Sequence, residues 1–207
     1  MRELGSSTGT GIFISYRRED SEGEAGRLFD DLVRTFGDKS VFLDVAGIEH
    51  GRDFRKVIAK KLSGCGVLLA VIGPNWASSL DSDGSRRLDN PNDFVRLEIA
   101  TALSRDIPVI PVLVRGAKMP RQDSLPLDLR DLPYRNNVEL SHTRWNSDVT
   151  LLNKALKLAL RGGFPKLRKL VRAVLALVIA AMILFGVFEV LSSGSSAGHG
   201  STTQHRR

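Results

Sequence analysis

The sequence predicts an α/β fold in which a parallel sheet carries helices on both faces, followed by one transmembrane helix. Strand-like and helix-like hydrophobic patterns alternate from residue 11 to about residue 161, which is typical of a parallel sheet. Residues 67–72 form an uninterrupted apolar run, as expected for a strand buried on both faces at the centre of such a sheet. Residues 173–188 carry no charge, which indicates a membrane-spanning segment.

The first strand is predicted at residues 11–15, where Ile12, Phe13 and Ile14 are β-branched or aromatic. The helix that follows is predicted to start at Ser21, because Ser21 and Glu24 form a capping-box pattern. Next come a strand at 41–44, a helix around 54–62 and the central strand. A helix at 93–104, strands at 109–114 and 137–140, and a helix around 149–160 complete the domain.

Prolines and polar residues mark the irregular parts of this domain. Pro108 and Pro111 predict that the strand at 109–114 lies at an edge of the sheet or is irregular, because proline has no backbone N–H to donate. Residues 73–91 predict a long polar loop, and residues 116–133 predict a turn-rich connection.

The membrane-spanning segment depends on the residues that flank the charge-free run. Sixteen helical residues cover roughly 24 Å, which is less than a hydrocarbon core of about 30 Å. Extending the helix to residues 170–191 closes the gap, because Arg172 can snorkel and Glu189 lies close to the far interface. The alternative is a buried core helix, but no folded segment is predicted after it that would cover its apolar surface.

The charge of the flanks predicts the orientation of the chain. Five basic residues lie at positions 161–172, and such enrichment marks the cytoplasmic side of a span. We therefore expect a single-pass protein of the cell membrane, with its N-terminal domain in the cytoplasm. The predicted segments are a disordered N-terminus at 1–10, the domain at 11–161, a basic linker at 162–169, the span at 170–191 and a disordered tail at 192–207.

The distribution of charge and the cysteine content exclude several classes of protein. The net charge is +7, but residues 1–160 hold 23 basic and 22 acidic residues, so the domain is nearly neutral and no nucleic-acid partner is expected. The four histidines have no metal-ligand spacing, and we expect no metal site. Cys65 has no second cysteine to pair with, which suits a reducing compartment.

The polar residues after the first strand are the first candidates for a binding site. Ligands of open α/β sheets bind at the carboxyl ends of the strands, where Tyr16, Arg17 and Arg18 stand. A tyrosine ring and an arginine fork suit the base, ribose or phosphate of a nucleotide. The alternative is that these residues only form a solvated exit from the strand.

The helix at 93–104 holds the second candidate. At about 100° per residue, Glu98 lies at the edge of the apolar stripe, so its carboxylate leans toward the domain body, with Phe94 one turn earlier. The alternative is a boundary glutamate paired with Arg96 or a nearby lysine. Trp76, after the central strand, is either a ligand contact or an anchor for its loop.

Four segments of the chain resemble the TIR domain, in particular its bacterial members. They are FISYRR at 13–18, FLDVAGIEHGRDF at 42–54, CGVLLAVIGPNW at 65–76 and DFVRLEIATAL at 93–103. Their common order makes the resemblance far more specific than any single segment. It implies a flavodoxin-like, five-stranded parallel sheet flanked by helices over residues 11–161.

The resemblance also implies an activity, because many TIR domains hydrolyse NAD at the nicotinamide glycosidic bond. It places the catalytic carboxylate at Glu98, and NAD is then the substrate, with no cofactor required. The substrate-binding residues that it implies are Ser15, Tyr16, Arg17, Asp44, Phe94 and Trp76. It further implies assembly with other TIR domains into a homo-oligomer through the BB loop, with Val45, Ala46, Gly47, Ile48 and Gly51.

The chain departs from the family pattern at one position. Active members often carry tryptophan four residues before the glutamate, where this chain has Phe94. A non-enzymatic adaptor that acts through TIR–TIR contacts is therefore the second hypothesis. A phospho-receiver domain is disfavoured, because the central strand exits into Gly73 and Pro74 without the required aspartate.

Overall fold

A five-stranded parallel sheet forms the centre of the structure, a computed structural model that describes residues 9–43 and 53–160. The strands are β1 (Gly11–Ser15), β2 (Val41–Leu43), β3 (Cys65–Ile72), β4 (Val109–Val114) and β5 (Val138–Leu140). Their order across the sheet is β2-β1-β3-β4-β5, and every neighbouring pair is parallel. The apolar run therefore does form the central strand, with β1 and β4 on either side of it.

Within residues 9–43 and 53–160, four α-helices cover the two faces of the sheet. They are α1 (Arg18–Phe36), α2 (Phe54–Ser63), α3 (Phe94–Ser104) and α4 (Trp145–Leu160). Helices α1 and α4 pack with Ile12 and Ile14 of β1 on one face, and α2 and α3 pack with Phe13 on the other. Side chains alternate between the faces along a strand, so the two cores draw on alternate residues of β1.

The start of α1 agrees with the prediction in part. A first turn begins at Arg18, and non-helical angles at Ser21 (φ −148° and ψ 28°) form a kink after which the longer part of the helix begins, as predicted. The Ser21 hydroxyl donates to the Arg17 carbonyl at 3.4 Å, and the same carbonyl accepts the Ser21 N–H at 2.9 Å. Within the described residues, the reciprocal hydrogen bonds of a capping box between Ser21 and Glu24 are absent.

Of the two alternatives predicted for the strand with Pro108 and Pro111, an edge position or an irregular one, the edge position is wrong, since β4 runs between β3 and β5. The Pro108 carbonyl accepts from the Leu68 N–H at 2.8 Å, so this proline contributes to the ladder with β3. Pairing with β5 begins only at Val112, after Pro111. An interior strand tolerates Pro111 because the ladder that would need its missing N–H has not yet started.

Several predicted features lie outside the described residues. They include Asp44, the BB-loop residues Val45, Ala46, Gly47, Ile48 and Gly51, the basic linker, the proposed span at 170–191 and both termini. Over residues 9–43 and 53–160, none of the helices combines the length and the apolar character that a membrane crossing requires.

Candidate active site

Glu98 lies on the face of α3 that packs against the sheet. Helix α3 follows β3 in the chain, so its N-terminal end stands at the carboxyl edge of the sheet, where open α/β sheets bind ligands. Only 1% of Glu98 is exposed, and its neighbours on this side of the helix are Val95, Ile99 and Ala102. The expectation that it leans toward the domain body is confirmed, and it is buried more deeply than a boundary residue.

Phe94 begins α3, one turn before Glu98. The residue is 42% exposed, whereas Val95, Glu98, Ile99 and Ala102 of the same helix are buried. Residues four apart lie on the same side of a helix. The start of α3 therefore presents an accessible aromatic ring close to a buried carboxylate.

Arg96 has partners other than Glu98. Its Nε donates to both carboxylate oxygens of Asp128, at 3.2 and 3.0 Å, and its Nη1 donates to the Leu88 and Asp89 carbonyls at 3.0 and 3.1 Å. These contacts direct the Arg96 guanidinium toward the loops beside α3. The geometry thus disfavours the alternative in which Glu98 is an ordinary partner of Arg96.

Arg17 is buried, with 1% of its surface exposed, and its guanidinium is bound to protein groups. Nη1 and Nη2 donate to the two carboxylate oxygens of Asp93, at 2.9 and 3.0 Å, and Nε donates to the Trp76 carbonyl at 3.0 Å. Two-point arginine–carboxylate pairs are among the strong hydrogen bonds of proteins. The geometry favours a positioning role over direct contact with a ligand, and substrate binding by Arg17 stays a prediction.

Sequence reasoning missed the role of Asp93. This residue is the N-cap of α3, and its Oδ1 accepts from the Arg96 N–H at 2.9 Å. Its carboxylate also lies 3.4 Å from Nε of Arg87. An aspartate before an apolar helical pattern signals an N-cap, but its pairing with an arginine far away in the sequence has no local signal.

Trp76 is fully buried, in the core that α2 and α3 form with the sheet. The Arg17 guanidinium carbon lies 5.9 Å from the centre of its ring. This placement favours the anchor interpretation, since Trp76 holds the polar loop against the sheet while its carbonyl binds Arg17.

Tyr16 lies on the opposite face of the sheet from Glu98. It is 7% exposed and packs with Ile12 and Ile14 among residues of α1 and α4. Tyr16 and Glu98, both of which the resemblance assigns to the active site, thus lie on opposite faces of the sheet, and substrate binding by Tyr16 stays a prediction. The alternation of side chains along and just beyond β1 is the physical reason.

Ser15 lies at the carboxyl end of β1, on the face that Phe13 shares with α2 and α3. It is fully buried, and its hydroxyl makes no hydrogen bond within the described part of the chain. Buried hydroxyl groups normally have a partner. Ser15 therefore has hydrogen-bonding capacity on the same side of the sheet as Glu98.

Asp20 fixes the exit of β3. Its Oδ1 accepts from the Asn75 N–H at 2.9 Å, and only 2% of the residue is exposed. A Cβ placed on Gly73 would lie 2.3 Å from its Oδ2, so the backbone of Gly73 approaches this carboxylate directly. The start of the polar loop is thus set by Asp20 beneath it.

Cys65 lies at the amino end of β3, away from the carboxyl edge of the sheet. Burial raises the pKa of its thiol to about 11. A thiol in this state is protonated near neutral pH and is a poor nucleophile. Within the described residues, no group of three or more histidine, cysteine, aspartate or glutamate side chains is arranged to hold a metal ion.

Comparison with known proteins gives the family of the chain. Over 147 residues, which are 70% of its length, the chain is 26% identical to NAD(+) hydrolase sarm1 of Drosophila melanogaster. The matched region spans about a tenth of the length of that protein. The TIR domains of the activated Roq1 resistosome, which recognises the pathogen effector XopQ, match 75% of this chain and 100% of theirs, with 16% identity and a TM-score of 0.48. The bacterial origin stays a prediction. A family model for the TIR domain matches residues 12–146, and the chain belongs to the TIR domain family.

Proposed function

We propose that this TIR domain hydrolyses NAD at the nicotinamide glycosidic bond, with Glu98 as the catalytic carboxylate. The observation that carries the proposal is the burial of Glu98 one turn behind the exposed ring of Phe94, at the carboxyl edge of the sheet. Burying a carboxylate is costly, and such groups concentrate at functional sites. The name of the insect relative, NAD(+) hydrolase, supports the same activity.

The chemistry requires one well-placed carboxylate. The bond between the ribose C1′ and the pyridinium nitrogen breaks, its electron pair stays on that nitrogen, and nicotinamide leaves neutral without being protonated. Positive charge develops on the ribose, as in glycoside hydrolysis, and the Glu98 carboxylate stabilises it in a site with little water. Water then adds to C1′ and releases a proton, which gives ADP-ribose.

Two neighbouring residues suit this substrate. The exposed ring of Phe94 offers a flat face against which a nucleotide ring can stack. Ser15 offers a buried hydroxyl, on the same side of the sheet, for a substrate oxygen. Asp44 is retained in the proposal on the resemblance alone.

We also propose that activity depends on self-assembly at the membrane. The BB loop at 45–51 would complete the site of a neighbouring copy, and the uncharged segment within 170–191 would anchor each chain in the cell membrane with its TIR domain in the cytoplasm. The basic residues at 161–172 support that orientation. Confinement to a membrane raises the local concentration of TIR domains and so favours assembly.

The test compares nicotinamide release by the wild-type chain and by Glu98→Gln, each reconstituted in vesicles at low and high density. We expect release to rise with density in the wild type and to fall by at least about 100-fold in Glu98→Gln, the size of effect seen when a charge-stabilising group is removed. Glu139→Gln is the matched control, because Glu139 is exposed on β5. Turnover that survives in Glu98→Gln would refute the assignment.

A non-enzymatic adaptor is the second candidate function, and the observation that favours it is Phe94. Phenylalanine has less stacking area than the tryptophan common at this position in active members, and it lacks the indole N–H. An adaptor would capture other TIR domains stoichiometrically and would release no nicotinamide at any density. The vesicle experiment distinguishes the two candidates directly.

A further inference from the structure

We propose that Arg17 and Asp93 form a positioning pair that sets the location of the Glu98 carboxylate. The inference rests on the proposed function, because it gives the pair a role in the same reaction. It reassigns Arg17 from a ligand contact to a residue that acts through helix α3, and it gives Asp93 a role beyond capping.

Arg17 connects three parts of the chain that are distant in sequence. Its backbone lies between β1 and α1, its Nε binds the Trp76 carbonyl after β3, and its two Nη atoms bind Asp93 at the start of α3. The side chain of Arg17 is fully buried, and that of Asp93 is 2% exposed. The guanidinium therefore fixes the start of α3 against the carboxyl ends of β1 and β3.

Both oxygens of Asp93 take part in this arrangement. Oδ1 accepts from Nη2 of Arg17 at 3.0 Å and from the Arg96 N–H at 2.9 Å. Oδ2 accepts from Nη1 of Arg17 at 2.9 Å and lies 3.4 Å from Nε of Arg87. One carboxylate thus holds the first turn of α3 and the exit of β1 at the same time.

The first turn of α3 determines where Glu98 stands. Glu98 follows Asp93 by five positions, which is about 7.5 Å along a helix axis, so Glu98 moves with any tilt or rotation at the helix start. Catalysis is sensitive to such movements, and a displacement of about 1 Å can cost 100-fold in rate. A rigid two-point contact at Asp93 is suited to prevent it.

A variant that removes both charges tests the pair without leaving one charge buried alone. In the full-length chain, Arg17→Met with Asp93→Asn keeps an amide oxygen that can still cap α3. We expect kcat for NAD to fall at least about tenfold while KM changes by less than about twofold, because alignment is lost and substrate contacts remain. We also expect hydrogen exchange of the backbone amides of α3 to speed up by a larger factor than that of the amides of β3.

The matched control is Arg121→Gln with Asp123→Asn, which removes an ion pair whose side chains are 85% and 72% exposed. It should leave kcat, KM and exchange in α3 as in the wild type. Should the buried double variant fail to fold, Arg87→Gln removes the outer contact to Asp93 together with an ion pair from its Nη1 to Glu19 at 3.1 Å, and Glu19→Gln removes that second pair alone. We expect Arg87→Gln to lower kcat about twofold, the size of a partly exposed ion pair, and to speed exchange at the start of α3.

The inference would be overturned if the folded double variant kept the wild-type kcat or the wild-type rate of hydrogen exchange in α3. If only Arg87→Gln folds, a wild-type kcat and wild-type exchange at the start of α3 in that variant would overturn it. A wild-type chain that releases no nicotinamide would overturn the proposed function instead. In that case the exchange measurement alone decides whether Arg17 and Asp93 hold the start of α3.

Discussion

Replacing Asp93 by asparagine removes one charge from the interior of the domain and keeps the shape of the side chain. Asparagine can still accept from the Arg96 N–H, so the cap of α3 survives. The guanidinium of Arg17, whose side chain is fully buried, loses its negatively charged partner and keeps the hydrogen bond to the Trp76 carbonyl. Breaking a buried pair in this way costs about 3–5 kcal/mol, a large part of the 5–15 kcal/mol by which domains are typically stable.

Urea denaturation measures this loss. Trp76 and Trp145 are 0% and 4% exposed, so their fluorescence should shift when the domain unfolds. With a slope of about 2 kcal/mol per molar urea, the expected loss moves the midpoint down by about 1.5–2.5 M. Asp93→Ala should be less stable by about a further 1 kcal/mol, because it also removes the cap.

The explanation by an unpaired buried charge has a direct check. Arg17→Met combined with Asp93→Asn should regain part of the stability that Asp93→Asn alone loses, since no charge is left without a partner. Asp123→Asn, at an exposed pair, should move the midpoint by no more than about 0.5 M. A shift for Asp93→Asn as small as that of Asp123→Asn, or additive effects of Arg17→Met and Asp93→Asn, would refute the reasoning.

Three further predictions follow from other contacts. Gly73→Ala should lower the free energy of unfolding by about 1–3 kcal/mol, because the new Cβ would lie 2.3 Å from the Asp20 carboxylate. Gly64→Ala is the control, since its Cβ would meet nothing within 4 Å and its free energy of unfolding should stay within about 0.5 kcal/mol of the wild type; equal urea midpoints for the two variants would contradict the prediction. Phe94→Trp should raise nicotinamide release about two- to tenfold, since the position is exposed and a larger ring stacks better; a decrease would count against a stacking role. Burial raises the pKa of the Cys65 thiol from 9.0 to about 11, so between these pH values the thiol ionises only in the unfolded chain. The free energy of unfolding should therefore fall as the pH rises from about 9 to about 11. A Cys65→Ala variant with the same pH profile as the wild type would show that the thiol is not responsible.

The sequence predicted the features that depend on local periodicity. The short apolar run in β3 identified the central strand, because a strand covered on both faces has no solvent-facing positions for polar residues. The angular position of Glu98 on α3 predicted that it faces the domain, and the structure buries it there. Both inferences needed only the geometry of one element.

Features that depend on contacts between distant segments were not predictable in this way. Whether Arg17 faces a ligand or the interior depends on Asp93, which lies 76 residues away. The interior position of β4 depends on where pairing with β5 begins relative to Pro111. The position of Tyr16, in contrast, was predictable from the sequence. Side chains alternate along β1, so Tyr16 lies on the same face of the sheet as Ile12 and Ile14.

The three attachments of Arg17 also bear on the order in which the domain folds. Its partners Trp76 and Asp93 follow it by 59 and 76 residues, so the contacts require that the intervening chain has already been closed into a loop. We therefore expect the guanidinium to reach its partners after β1 and β3 have paired and to contribute little to the folding transition state. Substitutions at Asp93 should consequently accelerate unfolding and leave the refolding rate almost unchanged, so the ion pair governs how long the native state persists.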